Sequence, residues 1–119
     1  MNDNCHALGA KYFGDKGYAV RYADVVSQSF QSLKNITTGE GGAIITNDKK
    51  IHNKVKILRS HGVVSKSRKG FHWKNNQIDL GYNYRLTDFQ SALGISQLKK
   101  INIFMRRRTE IASIYDTCF

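Results

Sequence analysis

The chain has 119 residues, a formal net charge of +10 at pH 7 and 40% apolar residues. This length and composition fit one small hydrophobic core, and no stretch approaches the roughly 20 consecutive apolar residues that cross a bilayer. The N-terminus lacks a signal-peptide pattern. The two cysteines have no Cys-x-x-Cys or His-x₃-His spacing around them, so we expect free thiols and no metal site. These features argue against a membrane span, a disulfide-bonded scaffold and a zinc module.

The first half of the chain predicts strands joined by turns. Residues 1–23 begin at the end of a strand and continue through a hairpin-type turn at residues 11–17. Buried-strand patterns at residues 24–30 and 42–46 flank a segment that ends in three glycines within four residues. Lys34 lies in this segment, where it is either a potential nucleophile or a solvated lysine in a tight strand connection.

The second half predicts helices and one long loop. Residues 47–48 offer an N-cap for an amphipathic helix that ends near Ser60. Residues 61–80 have no regular period and predict a long mobile loop. Residues 87–90 have the spacing of a capping box and open another helix, and residues 102–118 predict one long helix with its arginines mostly outside. Alternating strands and helices indicate the α/β class, with too few strands for a complete doubly wound sheet.

The positive charge has one concentrated source in the predicted loop. Four basic residues surround two aromatic residues there: Lys66, Arg68, Lys69, Phe71, Trp73 and Lys74. Basic residues interleaved with aromatic rings are typical of nucleic-acid-binding surfaces, and they equally suit a site for a nucleotide diphosphate. The charge pattern alone leaves both alternatives open.

Five segments in order resemble one family of enzymes, the DegT/DnrJ/EryC1/StrS nucleotide-sugar aminotransferases, which depend on pyridoxal 5'-phosphate (PLP). The segments are residues 3–10, 29–42, 59–62, 81–86 and 90–94. Within the family, residues 91–100 and 108–116 look most like the branch that serves pseudaminic acid synthesis. The resemblance covers almost the whole chain, and five ordered matches are specific.

The resemblance implies the architecture of a fold-type I, aspartate-aminotransferase-like transferase, of which this chain is expected to be an internal fragment with an incomplete sheet. Residues 1–101 are then the C-terminal part of the PLP-binding large domain, and residues 102–119 begin the linker helix toward a small C-terminal domain. The resemblance also implies a homodimer with shared active sites, and the lack of a membrane span and of a signal-peptide pattern predicts a cytoplasmic protein. Its expected partners are a nucleotide sugar and glutamate, with neither membrane nor nucleic acid.

Three residues match positions at the reactive end of the family's cofactor. Lys34 matches the Schiff-base lysine, which also carries a proton during transamination. Asp3 matches the aspartate that keeps the cofactor's ring nitrogen protonated, and His6 matches a His or Gln near its phenolic oxygen. Without the resemblance, Asp3 reads as a turn or solvated residue, and His6 as a surface or core histidine.

Three further residues are candidates for binding anions, and two of them match positions of the family. Ser29 matches the phosphate-binding serine, and a satisfied strand serine is the alternative. Asn83 matches the asparagine that reaches the phosphate of the neighbouring subunit's cofactor. Arg85 is the natural candidate for a substrate anion or an anion at the subunit interface, because its planar fork suits phosphate or carboxylate, although a structural ion pair fits it as well.

Two positions bear on how far the family's function carries over. Gln31-Ser32 stands where the family commonly has His-Pro, so the approach to Lys34 is expected to be less rigid. The lysine itself is retained, which excludes relatives that replace it with histidine and perform deoxygenation.

The function implied is PLP-dependent transamination of a UDP-linked 4-keto-6-deoxy sugar, with glutamate as amino donor, in surface-glycan biosynthesis of the pseudaminic acid type. The segments expected to stack on the cofactor ring and complete the phosphate cradle are not among these residues. The isolated chain is therefore expected to be inactive. A non-catalytic basic binding module and a non-functional remnant of a split gene are the alternatives.

Overall fold

A computed structural model describes residues 1–64 and 76–119 of the chain. The basic and aromatic cluster of the predicted loop lies outside these residues. The elements in chain order are β1 Asn2–Asp3, α1 Tyr18–Tyr22, β2 Val26–Ser29, β3 Gly42–Ile45, α2 Lys49–Leu58, β4 Val63–Val64, β5 Asn76–Gln77 and α3 Asp88–Cys118. The predicted α/β class with an incomplete sheet is confirmed.

A small mixed sheet in the order β1-β2-β3 organises the first half of the chain. β1 pairs with β2 in parallel, with Asp3 opposite Ser27, whereas β2 and β3 are antiparallel, with Ser29 opposite Gly42. The strands predicted at residues 24–30 and 42–46 are thus present, slightly shortened. Because parallel strands have their carboxyl ends at the same edge of a sheet, the segments that follow β1 and β2 leave the sheet side by side.

The segment after β2, residues 30–41, is called the lysine turn. Its base is closed by the main chain, because Phe30 N donates to Gly41 O at 2.8 Å and Thr38 N donates to Phe30 O at 2.9 Å. Its centre is anchored by Ile36, whose side chain is 2% exposed and belongs to the small buried core with Val26. Lys34 therefore lies on a closed turn with a buried anchor two residues away.

Two local features predicted for the first 64 residues, a hairpin-type turn and a capped helix, are present in the structure. The hairpin-type turn at residues 11–17 is confirmed by the antiparallel bridge between Tyr12 and Asp15. The helix expected after residues 47–48 is α2, and Asp48 Oδ1 caps it by accepting from Lys50 N at 2.6 Å. The five-residue helix α1 was not predicted, since it has no capping side chain and is too short to show a period.

The segment predicted as a loop, residues 61–80, contains two short strands. Val63 pairs with Gln77 and Val64 with Asn76, so the two ends of that segment form a short antiparallel ribbon, β4 with β5. A two-residue strand is too short to show the alternation by which strands are found in sequences. The β-branched pair Val63-Val64 was the only local signal for it.

The two helices predicted in the last third are one continuous helix of 31 residues, α3. Its predicted capping box is confirmed, because Thr87 Oγ1 accepts from Gln90 N at 3.3 Å and Gln90 Oε1 accepts from Thr87 N at 2.9 Å. The helix passes through residues 101 and 102 without interruption, and the domain division there stays a prediction. Within residues 1–64 and 76–119, no helix is long and apolar enough to cross a membrane.

The first turns of α3 pack on the lysine turn. Gln90 Nε2 donates to Glu40 O at 2.9 Å, and a Cβ at Gly94 would lie 3.0 Å from Thr38 Cγ2. A side chain at this position would force Thr38 or the helix to shift by a few tenths of an ångström. Gly94 thus packs closely against the segment that carries Lys34.

Replacing Gly42 with alanine is expected to destabilise the sheet, because a Cβ there would lie 2.6 Å from Gln28 O in the neighbouring strand. Overpacking of this kind costs about 1–3 kcal/mol. Thermal unfolding of the intact protein that contains this chain measures it. Gly17→Ala is the control, because its Cβ would meet only Asp15 Oδ1, at an ordinary 3.4 Å. Equal melting temperatures for the two variants would contradict the expected strain.

Candidate active site

The first feature of the site is a contact between an amine and an imidazole. His6 lies in the segment after β1 and Lys34 in the lysine turn after β2, 28 residues apart, and Lys34 Nζ is 2.7 Å from His6 Nε2. This is the distance of a hydrogen bond between the amine and the ring nitrogen, and the tautomer of His6 decides which of them donates. The sequence suggested that each residue faces a common ligand, but it gave no sign of this direct contact.

Asp3, the last residue of β1, provides a carboxylate at the same sheet edge. Its Oδ1 accepts from Cys5 N at 3.0 Å, and Ser27 Oγ lies 3.5 Å away. Hydrogen bonding from the Cys5 side chain, and next from the Cys5 main-chain N–H, lowers the pKa of Asp3 below its ordinary value. Asp3 is therefore ionised at neutral pH.

Cys5 is a member of this group that sequence reasoning missed. Its Sγ is 3.8 Å from Ser27 Oγ. Hydrogen bonding to Asp3, followed by burial, raises the pKa of the Cys5 thiol. The thiol is thus held protonated beside Asp3, with Ser27 Oγ as its geometric hydrogen-bond partner, and is not a nucleophile. Its place directly after the Asp3 motif was the only signal in the sequence.

Ser29, the last residue of β2, stands where the lysine turn begins. Its Oγ accepts from Gln31 N at 3.3 Å, and the half-buried hydroxyl makes no other hydrogen bond within the described residues. The O–H group is therefore available as a donor to an anion. A serine at the carboxyl end of a strand, beside the start of a turn, suits a phosphate oxygen.

Side-chain hydrogen bonds restrain the lysine turn at Gln31-Ser32, where the family commonly has His-Pro. Gln31 Oε1 accepts from Leu33 N at 2.9 Å, and Gln31 Nε2 donates to Ser32 Oγ at 2.9 Å. The Gln31 carbonyl also accepts from Lys34 N at 3.0 Å. The approach to Lys34 is thus restrained by Gln31, a stabilisation that was not expected from the absence of proline.

Asn83 and Arg85 lie together in a second group. Arg85 Nε donates to Asn83 Oδ1 at 3.0 Å, and Arg85 Nη2 is 3.4 Å from His61 Nε2. The rings of Tyr82 and Tyr84 stack next to them with centroids 5.0 Å apart. All five side chains are exposed. His61 is held in a left-handed backbone conformation with φ 63°.

The structure therefore divides the predicted site residues between two places. Asp3, His6, Ser29 and Lys34 lie at or just after the carboxyl ends of β1 and β2, whereas Asn83 and Arg85 precede α3. Within the described residues, no hydrogen bond or ion pair connects the second group to the first.

An open cleft separates the lysine turn from α3 and gives access to Lys34. Its volume is about 320 Å³, and it is lined by Ser32, Lys34, Asn35, Thr37, Gln97, Phe104, Arg107 and Arg108. Arg107 is paired with Glu110 at 3.1 Å. The arginines of α3, predicted to face mostly outward, are exposed, and Arg107 and Arg108 also line this cleft. In the described part of the chain, no three His, Cys, Asp or Glu side chains are grouped as a metal site.

Comparison with known proteins assigns the chain to a family. Residues 1–119, the whole chain, match the model of the DegT/DnrJ/EryC1/StrS aminotransferase family. The chain belongs to this family, whose aminotransferases depend on PLP. The resemblance carried by the five ordered segments is thereby confirmed.

Particular relatives place the chain more closely within the family. It is 47% identical over 119 residues to a UDP-4-amino-4,6-dideoxy-N-acetyl-beta-L-altrosamine transaminase of Campylobacter jejuni, all of this chain and 30% of that protein. The structure of Helicobacter pylori PseC, an aminotransferase of pseudaminic acid biosynthesis, matches 97% of the chain and 29% of its own, with a TM-score of 0.85 and 42% identity. The chain thus spans about 30% of the length of the relatives it matches.

A third relative has been solved with the cofactor. The PLP-form of Spr1654 from Streptococcus pneumoniae matches 97% of the chain and 29% of its own, with a TM-score of 0.81 and 30% identity. The fold of this chain is therefore that of part of a PLP-dependent sugar aminotransferase.

Replacing Cys5 with alanine is expected to raise the pKa of Asp3 toward its ordinary value, because the largest cause of its lowering is removed. The Cys5 main-chain N–H stays, so part of the shift should remain. A carboxyl whose pKa is lowered by folding contributes stability above its unfolded pKa, and that stability is lost as pH falls through the folded value. Cys5→Ala should therefore weaken the dependence of stability on pH in acid.

A carboxyl ¹³C NMR titration of Asp3 in the intact protein measures this shift. Cys118→Ala is the matched control, because Cys118 is exposed at the far end of α3. The hydrogen-bond assignment is wrong if Asp3 titrates at the same pH in both variants.

Proposed function

We propose that the chain is the lysine-bearing part of a PLP-dependent nucleotide-sugar aminotransferase. Its reaction would move an amino group from glutamate to a UDP-linked 4-keto-6-deoxy sugar, in cytoplasmic synthesis of a pseudaminic acid-like surface glycan. The observation that supports this most is the placement of Lys34 Nζ 2.7 Å from His6 Nε2, at the sheet edge that also carries Asp3. The 47% identity to a transaminase of a UDP-linked amino sugar supports the substrate class.

The residues present fit PLP in three respects. Asp3 offers a carboxylate kept ionised by its hydrogen bonds, and Lys34 offers a primary amine. Ser29 offers, at the end of a strand, a hydroxyl group that can still donate a hydrogen bond. When bound, PLP supplies an aldehyde carbon that an amine can attack and a ring that withdraws electrons. Asp3 would lie at the ring nitrogen, Lys34 at the aldehyde end and Ser29 at the phosphate.

Lys34 has two tasks in this proposal. As a nucleophile it needs a lone pair on Nζ, and as a general base it needs to take a proton from the substrate carbon and release it again. His6 Nε2 is close enough to accept a hydrogen bond from the amine in either task. The contact therefore orients Lys34 when it is free, and the closed lysine turn limits where its amine can move.

The second group fits a role across a subunit interface. We propose that Asn83 reaches the phosphate of the neighbouring subunit's cofactor in a homodimer and that Arg85 binds a substrate anion. Arg85 is exposed, and its fork is oriented by Asn83 and His61. The separation of this group from Lys34 within one chain supports a site that two subunits complete.

Lys34 is expected to be the residue that PLP modifies. The intact protein is incubated with PLP, reduced with borohydride and digested, and the labelled peptide is identified by mass spectrometry. Lys34→Ala should abolish both the label and transamination. Lys11→Ala, at an exposed lysine of the hairpin turn, should change neither. Label on another residue, or transamination by Lys34→Ala, would refute the assignment.

Ser29→Ala is expected to weaken PLP binding about tenfold to a hundredfold, the range for one hydrogen bond to a charged group. Equilibrium titration of PLP absorbance in the intact protein gives the dissociation constant. Ser96→Ala, at an exposed serine of α3, serves as the control and should bind PLP normally. An unchanged dissociation constant in Ser29→Ala would remove Ser29 from the phosphate site.

A further inference from the structure

Two side chains of the lysine turn connect it to the segment after β1. That segment, residues 4–10, is called the His6 turn. Besides the contact of Lys34 with His6, Asn35 Nδ2 donates to Leu8 O at 2.6 Å and lies 3.5 Å from His6 O. Within the described residues, these are the hydrogen bonds between the two turns, so Asn35 is the link that does not involve the reactive amine.

The His6 turn is a fixed unit in its own right. Asn4 is 7% exposed, its Oδ1 accepts from Tyr18 Oη at 2.9 Å, and its carbonyl accepts from Ala7 N at 3.0 Å. Asn4 N in turn donates to Ser27 O in β2 at 3.0 Å. A bond from Asn35 to the carbonyls of this turn therefore fixes the position of the His6 main chain relative to the lysine turn.

Asn35 also restrains the main chain of Lys34, its direct neighbour. On its other side lies Ile36, 2% exposed in the core, and Lys34 N is bonded to Gln31 O at 3.0 Å. The lysine side chain itself is long and has high rotamer freedom. A fixed main chain at both ends of the Lys34–His6 contact is what allows such a side chain to keep one position.

We propose that Asn35 is a positioning residue that holds the His6 turn against the lysine turn. It thereby keeps Lys34 Nζ within hydrogen-bond distance of His6 Nε2. The inference rests on the proposed function and adds a residue to it. The task requires a donor, because both partners of Asn35 are carbonyl oxygens. Aspartate has almost the same shape, but at neutral pH it would place a carboxylate oxygen against these carbonyls.

The proposal is tested by the reactivity of Lys34 in the cofactor-free intact protein. Acetic anhydride acetylates lysines, and peptide mass spectrometry gives the rate at Lys34 relative to that at Lys11. Asn35→Asp should change this ratio by about threefold to tenfold, the range for one net hydrogen bond. His6→Ala should change it in the same direction, and the double variant should change it no further, because both substitutions act on one contact.

Asn47→Asp is the matched control. Asn47 Nδ2 also donates to a main-chain carbonyl, Val20 O at 3.2 Å, but it joins α1 to the segment before α2. A substitution there tests the structural cost of the same chemical change away from Lys34. It should leave the acetylation ratio unchanged even if it lowers the melting temperature.

In PLP-loaded protein, Asn35→Asp should lower kcat with little change in KM for the keto-sugar, because misplacement of a reacting group by about 1 Å costs on the order of a hundredfold in rate. The proposal is overturned if Asn35→Asp acetylates like Asn47→Asp or if its effect adds to that of His6→Ala. Asn35→Ala, which introduces no charge, replaces the aspartate variant if that one unfolds. Unfolding of both would make Asn35 a stability residue and would also overturn the proposal.

The acetylation result does not depend on the reaction. Transamination that persists in Lys34→Ala would refute the proposed function while leaving the acetylation ratios as measured. If Lys34→Ala loses transamination as expected and Asn35→Asp leaves the acetylation ratio unchanged, only the role of Asn35 is refuted.

Discussion

The parallel pairing of β1 with β2 is the constraint on which the site depends. Antiparallel pairing would place the segments after the two strands at opposite edges of the sheet. Parallel pairing, with Asp3 opposite Ser27, brings the His6 turn and the lysine turn to one edge, although the residues in contact are 28 positions apart. The carboxylate of Asp3, the imidazole of His6 and the amine of Lys34 are near one another for this reason.

The closed lysine turn then holds the main chain of Lys34 at this edge of the sheet. Its base is held by main-chain bonds at Phe30, its core contact is Ile36, and α3 covers it through the contacts of Gln90 and Gly94. Glycines at and around the turn serve this packing, since a Cβ at Gly41 would lie too close to Thr38, one at Gly42 in β3 would lie too close to Gln28 O in β2, and one at Gly94 in α3 would crowd Thr38. The turn that could have been a simple strand connection is thus a restrained support for Lys34.

Features that depend on local chemistry were predictable from the sequence. The strands around the lysine turn, the Asp48 cap of α2 and the Thr87–Gln90 capping box follow from short-range patterns, and the family follows from its ordered motifs. The contact between Lys34 and His6, the link through Asn35 and the effect of Cys5 on Asp3 depend on how distant segments pair. No period or spacing encodes that pairing, and two-residue strands such as β4 are too short to show any period.

The central claim is that one sheet edge holds a cofactor between Asp3 and Lys34. A crystal structure of the intact protein grown with PLP tests it most directly. We expect density that continues from Lys34 Nζ into the ligand, with the ring nitrogen within hydrogen-bond distance of Asp3 and the phosphate beside Ser29. A cofactor bound at another place, or a Lys34 that points away from the ligand while Asp3 contacts only Cys5 and Ser27, would contradict the account.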